Sequence, residues 1–149
     1  MRQLIYSMQF TGQATPVEGS PNVLKAATSA PSCTLTTTVG RDGVSGSLQP
    51  AAGERAAFES EVTLAADGTF QESGTITFGA GGHRLRFSTL GQGHLGPSPD
   101  PKLSQGAVIW KVEGGEGQFV GARGLITSNF FVGDAGEVTD NHFGVLFVE

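Results

Sequence analysis

The glycine-rich segment at residues 114–130, GGEGQFVGARGLITSNF, constrains the fold more than any other part of the chain. It holds five glycines, with Phe119 among them. A phosphate-binding loop would need a helix directly after the glycines, because the helix N-terminus supplies the amide groups and the dipole. The residues that follow Gly124, Leu-Ile-Thr-Ser-Asn-Phe-Phe-Val, are typical of a strand instead. We therefore interpret the glycines as bends or points of close backbone approach, with Phe119 anchored in the core.

A second glycine motif, GQGHLG at residues 91–96, matches the G-x-G-x-x-G pattern of dinucleotide-binding loops. The residues after it, Pro-Ser-Pro-Asp-Pro, cannot begin a helix of useful length. Because the pattern binds a pyrophosphate only between a strand and a helix, we expect neither a nucleotide site nor a cofactor.

Most of the chain reads as short alternating strands separated by glycine turns. The one helical candidate is the stretch NVLKAA at residues 22–27, after Pro21. Gly accounts for 23 of 149 residues and charged residues for only 15%, which favours a strand-rich domain over a disordered chain. Eight or nine strands without a linker predict a single all-β domain over residues 1–149, a closed antiparallel barrel of about eight strands, with a sandwich as the alternative. The main predicted strands cover residues 4–10, 34–39, 57–64, 69–78, 83–90, 107–113, 124–132 and 143–148.

Charge and cysteine content exclude several classes of protein. The net charge is −5 and no run of Lys or Arg occurs, which argues against nucleic acid and anionic membranes as partners. The single cysteine, Cys33, excludes an internal disulfide and a cysteine-rich zinc site. His83, His94 and His142 match no compact metal motif, so we expect no metal. With neither a signal-peptide pattern nor a long apolar run, we expect a cytoplasmic protein.

Residues 115–124, GEGQFVGARG, carry a resemblance to a known group of proteins. They resemble the G-x-G-x-F-x-G-A-x-G strand of barrels like allene oxide cyclase, which plant dirigent proteins and small bacterial barrels of unassigned function share. The resemblance implies an eight-stranded antiparallel barrel with an apolar cavity, often in dimers or trimers. It implies no catalytic residue, because the shared motif is a scaffold strand. The chemistry of that group, where known, is cyclisation or stereochemical steering of a reactive small molecule.

Three charged residues are the candidate catalytic groups. Glu59 and Glu61 share one strand face, and Glu72 could meet them across the turn at Asp67-Gly68. Carboxylates gathered inside a barrel would raise one pKa, as a general acid or base requires. Arg86 could pair with these carboxylates and hold an anionic ligand. The alternative is that Glu59, Glu61 and Arg86 face the solvent.

Four residues are the candidate ligand-binding groups: Tyr6, Phe87, Trp110 and Asn129. Aromatic and polar-tipped side chains of this kind line many small-molecule cavities, although ordinary core packing would also explain the aromatic ones. Asn129 lies in a strand that is apolar on both faces, and its side chain faces either the lumen or the solvent. We therefore expect the outer face of that strand to be covered by the segment at residues 17–31 or by another subunit.

One further pair and the overall function follow from these patterns. Asp140 and His142 share a strand face and could form an acid–base pair, or lie at the surface. We predict a barrel that binds an apolar small molecule, and as an enzyme it would isomerise or cyclise that molecule by orientation and desolvation. The alternatives are a non-catalytic carrier and an oligomeric structural or interaction barrel. A homo-oligomer, dimer or trimer, is expected in each case.

Overall fold

A computed structural model describes the whole chain, Met1–Glu149, and its regular structure is strand apart from one 3₁₀ turn, Gly117–Phe119. The structure contains no helix that is long and apolar enough to cross a membrane. The eleven strands are β1 (Arg2–Val17), β2 (Ser20–Ala30), β3 (Cys33–Gly40), β4 (Gly43–Pro50), β5 (Ala56–Leu64), β6 (Thr69–Phe78), β7 (His83–Thr89), β8 (Gly93–Pro97), β9 (Leu103–Glu116), β10 (Arg123–Gly133) and β11 (Glu137–Val148).

Eight of the strands close into an antiparallel barrel, in the order β1-β2-β5-β6-β7-β9-β10-β11 and back to β1. The barrel prediction is therefore confirmed. Strand β8 is additional and pairs with β6 and β9 beyond the end of β7. Strands β3 and β4 form a separate hairpin whose residues are almost all exposed.

The predicted helix at residues 22–27 is wrong, because these residues belong to β2. They pair with β1 on one side and with β5 on the other. Barrel closure supplies backbone hydrogen bonds along both edges of this segment, and such pairing outweighs a weak local preference for helix.

The glycine motif is not one strand, as the sequence had indicated, but the end of β9, the 3₁₀ turn and the start of β10. Phe119 is buried in the core, as predicted. Gly115 and Gly124 allow close approach, since a Cβ at either position would collide with the backbone of a neighbouring strand. The interpretation of the glycines as bends and close approaches is confirmed.

Side chains pointing inward fill one end of the barrel completely. Alternate residues of each strand are buried, as the two-residue period of a strand requires. In the middle of the barrel Phe58 stacks on Phe87 with ring centroids 5.4 Å apart, and Trp110 packs against both rings. The filled end lies beside the 3₁₀ turn, and the residues packed there include Tyr6, Ile76, Phe78, Leu85, Phe119, Ile126 and Leu146.

Candidate functional site

An apolar cavity of about 90 Å³ lies inside the opposite end of the barrel, toward the β1–β2, β5–β6 and β10–β11 turns. Several wall residues are only half-buried, so the cavity communicates with solvent at this end. At the deep end of the cavity lie Phe58 and four polar residues, Thr28, Glu72, Ser128 and Asp140. We call these four polar residues the polar floor. The apolar walls are Ala14, Leu24, Ala26, Val62, Leu64, Phe70, Leu95, Phe130, Val132 and Val138.

Glu72 supplies one of two carboxyl groups in this polar floor. Ser60 Oγ donates a hydrogen bond to its Oε2 at 2.6 Å, and Trp110 Nε1 donates to its Oε1 at 3.1 Å. Burial is the main cause of a raised pKa at Glu72, and the charge of Asp140 adds to it, so that the pKa is about 7 despite the lowering effect of both hydrogen bonds. Glu72 can therefore gain or lose a proton near neutral pH, which is the property of a general acid or base.

Asp140 is the second buried carboxyl group. Ser128 Oγ donates to its Oδ1 at 2.6 Å, and its Oδ2 lies 2.9 Å from His142 Nε2. The pairing of Asp140 with His142, one of the two alternatives that the sequence left open, is thus observed, and the surface alternative is wrong because both residues are buried. His142 also stacks on Phe10, with ring centroids 4.3 Å apart. Ser128 hydrogen-bonds to the carboxylate rather than to His142, so the three residues do not form a serine nucleophile with its base.

Thr28 completes the polar floor from β2. Its side chain is 6% exposed, and its Oγ1 has no hydrogen-bond partner within the protein. A buried hydroxyl group without a partner costs free energy of about 1–3 kcal/mol. Because Thr28 lines the cavity, a bound molecule could supply the missing partner.

The three predicted catalytic residues lie outside the barrel, so their placement in the lumen is wrong. Glu59 and Glu61 are exposed on β5 because Phe58 and Ser60, which alternate with them, point inward. Arg86 is exposed on β7, with its guanidinium 3.4 Å from the Glu113 carbonyl oxygen. Arg86 does not face the two glutamates across a strand pair either, because β6 lies between β5 and β7.

The predicted ligand-binding residues fall in three different places. Phe87 and Trp110 are buried inside the barrel but pack in its aromatic centre rather than along the cavity wall. Tyr6 lies at the filled end, edge-on to Phe78, and burial raises the pKa of its hydroxyl group well above the usual range. Asn129 is exposed on the outer face of β10, so its predicted place in the lumen is wrong.

Two covers were expected over the outer face of β10, the segment at residues 17–31 or another subunit, and the first of them is wrong. Residues 17–31 form β2 and its flanking turns, which pair with β1 and β5 rather than crossing β10. Leu125 and Thr127 remain exposed on that face.

The sequence contained a signal for one residue of the polar floor, Glu72, in the side on which it lies along β6. Glu72 alternates in register with Phe70, Ile76 and Phe78, so it occupies an apolar face rather than the face of Glu59 and Glu61. A charged residue on the apolar, buried face of a strand is uncommon and indicates a functional or paired group. Thr28 and Ser128 gave no comparable signal, because small hydroxyl residues occur on both faces of strands.

No three His, Cys, Asp or Glu side chains lie close enough together to hold a metal ion. Comparison of the chain with models of protein families, with curated proteins and with solved structures found no match.

Proposed function

We propose that this protein is a small-molecule-binding barrel that takes up an apolar molecule through the end of the barrel that holds the cavity. The observation that carries the proposal is an apolar cavity above a polar floor that includes a hydroxyl group without a partner, at Thr28. Small-molecule sites generally combine apolar walls with a few convergent polar groups in this way.

The size of the cavity limits how a molecule binds. At about 90 Å³ it is smaller than a typical ligand pocket, which measures about 300–1,000 Å³. A narrow molecule therefore binds end-on, with its polar end at the floor and its apolar body among the half-buried wall residues. The resemblance to allene oxide cyclase-like barrels remains part of the proposal, supported by the eight-stranded closure and the motif at residues 115–124.

Calorimetric titration with a series of straight-chain 1-alkanols tests the proposal. Each added methylene group that enters the cavity contributes about 0.8 kcal/mol, so the affinity should rise about fourfold per methylene until the chain leaves the barrel. Ala26→Leu fills much of the cavity and should weaken binding at least tenfold. The matched variant Ala27→Leu places the same side chain on the exposed face of β2 and should leave binding unchanged. Equal affinities for the two variants would contradict the proposal.

Isomerisation or cyclisation of the bound molecule is the finer form of this proposal. It is supported by the proximity of Glu72, with a pKa of about 7, to an apolar space in which water is scarce. Deuterium exchange at the carbon beside the carbonyl group of a bound ketone would detect such proton transfer. Glu72→Gln should abolish the catalysed exchange while retaining ketone binding. Exchange at the wild-type rate in this variant would favour a non-catalytic carrier.

We also propose that copies of the chain associate through an outer apolar face, which we define as Ile5, Ile109, Leu125, Phe143 and Phe147. These side chains are exposed and lie on the adjoining strands β1, β9, β10 and β11. Contiguous exposed apolar residues of this kind commonly mark interaction surfaces.

A further inference from the structure

The interior of the barrel is electrostatically unbalanced. Two carboxyl groups, of Glu72 and Asp140, are buried beside the cavity. All nine Lys and Arg residues are exposed, and none of them points into the lumen. Buried carboxylates are normally compensated by a cation or by several hydrogen-bond donors.

The two carboxyl groups differ in their partners. Asp140 has the imidazole of His142 at 2.9 Å, a histidine partner that Glu72 lacks. Glu72 has only neutral donors, the hydroxyl group of Ser60 and the indole of Trp110. Strand β7 adds only the hydroxyl group of Thr89, which contacts the Glu72 backbone, so no cation faces Glu72 from a neighbouring strand. The other ionisable groups inside the barrel, on β1 and β11, are Tyr6, Asp140 and His142.

We propose that the molecule bound in this cavity is an amphiphilic cation, with an apolar body along the walls and a protonated amine between Glu72, Asp140 and the Thr28 hydroxyl group. The inference rests on the proposed function and names the ligand class of the same site. An ammonium group donates hydrogen bonds to carboxylates, and Thr28 Oγ1 has an unused acceptor position beside them.

Aromatic rings around the cavity favour the same class of ligand. Phe70 and Phe130 pack edge to face in its wall, with ring centroids 5.9 Å apart, and Phe58 lies at its deep end. The faces of aromatic rings attract cations, most strongly where water is excluded. An anionic ligand would instead meet two carboxyl groups with no Lys or Arg side chain beside them.

Binding of the cation is coupled to loss of a proton. Without ligand, Glu72 retains its proton up to about pH 7, because burial opposes the charged form. When the ammonium group enters, the Glu72 carboxyl group loses its proton to solvent and the resulting carboxylate pairs with the ammonium. The amine keeps all its protons, so below about pH 7 one proton is released for each molecule bound, and above pH 7 the release disappears because Glu72 is already ionised. Affinity for the cation therefore increases with pH up to the pKa of Glu72 and then levels off.

Titration with three probes of similar length, hexylamine, 1-hexanol and hexanoate, tests the inference. The amine is protonated over the whole range used, since alkylamines have pKa values of about 10. At pH 8 hexylamine should bind at least tenfold more tightly than 1-hexanol, and hexanoate should bind more weakly than either. The ratio of amine to alcohol affinity should fall about tenfold between pH 8 and pH 6.

Two variants test whether the preference for hexylamine comes from the polar floor or from the general negative charge of the protein. Glu72→Gln should lower the ratio of hexylamine affinity to 1-hexanol affinity to within about threefold. Glu61→Gln removes the same charge from the outer face of β5 and should keep the full preference. Loss of the preference in both variants would assign it to surface charge and overturn the inference.

The outcomes also distinguish this inference from the proposed function. Binding of 1-hexanol with no preference for hexylamine would overturn the cationic ligand and leave the small-molecule barrel intact. Binding of none of the three probes would overturn both. The pH dependence of the ratio of amine to alcohol affinity in the wild-type protein tests the inference even if Glu72→Gln does not fold.

Discussion

The indole nitrogen of Trp110 lies 3.1 Å from Oε1 of Glu72 and donates a hydrogen bond to it. Trp110 is the only tryptophan of the chain and is fully buried. Tryptophan fluorescence therefore reports on the floor of the cavity without any label. The two residues belong to β9 and β6, which are separated in the barrel by β7, so their side chains meet across the inner face of β7.

We predict that the fluorescence of Trp110 changes in a step centred near pH 7, because ionisation of Glu72 places a charge beside the indole. A fluorescence titration between pH 5 and pH 9 measures this step. Glu72→Gln should remove it, whereas Glu113→Gln, which alters an exposed carboxyl group on the same strand as Trp110, should retain it. A step of unchanged size in Glu72→Gln would show that another group titrates beside the indole.

The raised pKa of Glu72 also predicts a pH-dependent cost to stability. Below about pH 4 the carboxyl group is protonated in both folded and unfolded chains, so it contributes no pH dependence there. Between the ordinary glutamate pKa, about 4.3, and about 7 the folded chain binds more protons, so the free energy of unfolding falls as the pH rises. The full loss, about 3 kcal/mol, is reached above pH 7.

Glu72→Gln should remove this loss. Compared with the wild type, the variant should have a similar free energy of unfolding at pH 4 and a higher one, by about 3 kcal/mol, at pH 8. Urea unfolding at both pH values measures the difference, and the difference between the two proteins cancels the contributions of the exposed carboxyl groups. A constant difference across this range would contradict the raised pKa of Glu72.

The sequence predicted some properties of the strands and not others. The barrel followed from strand alternation and glycine turns, because these are local properties of the chain. The inner face of β5 was also indicated locally, because Glu59 and Glu61 alternate with Phe58 and Val62 and charged side chains mostly face water. The position of Arg86 relative to these glutamates was not, because it depends on β6 lying between β5 and β7.

The helical assignment of residues 22–27 and the unassigned polar floor have a common cause. Residues in β2 become strand because β1 and β5 pair with them, and Thr28 becomes a floor residue because barrel closure brings it to the same cavity as Glu72 and Asp140. Both depend on partners distant in the chain. The pair Asp140 and His142 was predictable because its members are two residues apart in one strand.

Gly124 provides a test of the close-approach role of the glycine motif. Its φ of +134° disfavours any side chain, and a Cβ would collide with the carbonyl group of Val145 on β11. Gly43 is the matched control, because its φ of +112° is closer to that of Gly124 and no atom lies within 4 Å of an added Cβ. Gly43→Ala should cost about 1–3 kcal/mol from backbone strain alone. Gly124→Ala should cost about 1–3 kcal/mol more, measured by urea unfolding, and equal costs would argue against close approach as the reason for this glycine.

Self-association through the outer apolar face is tested by the double variant Phe143→Ser/Phe147→Ser. Both residues are exposed on β11, so their replacement removes apolar surface without opening the core. We expect the wild type to be a dimer or trimer by light scattering coupled to gel filtration, and the variant to be monomeric with an unchanged unfolding midpoint after correction for association. The matched double variant Leu35→Ser/Leu48→Ser removes a cross-strand apolar pair from the β3–β4 hairpin and should leave the oligomer intact. A monomeric wild type would overturn self-association, and dissociation by the hairpin variant alone would place the contact on the hairpin instead.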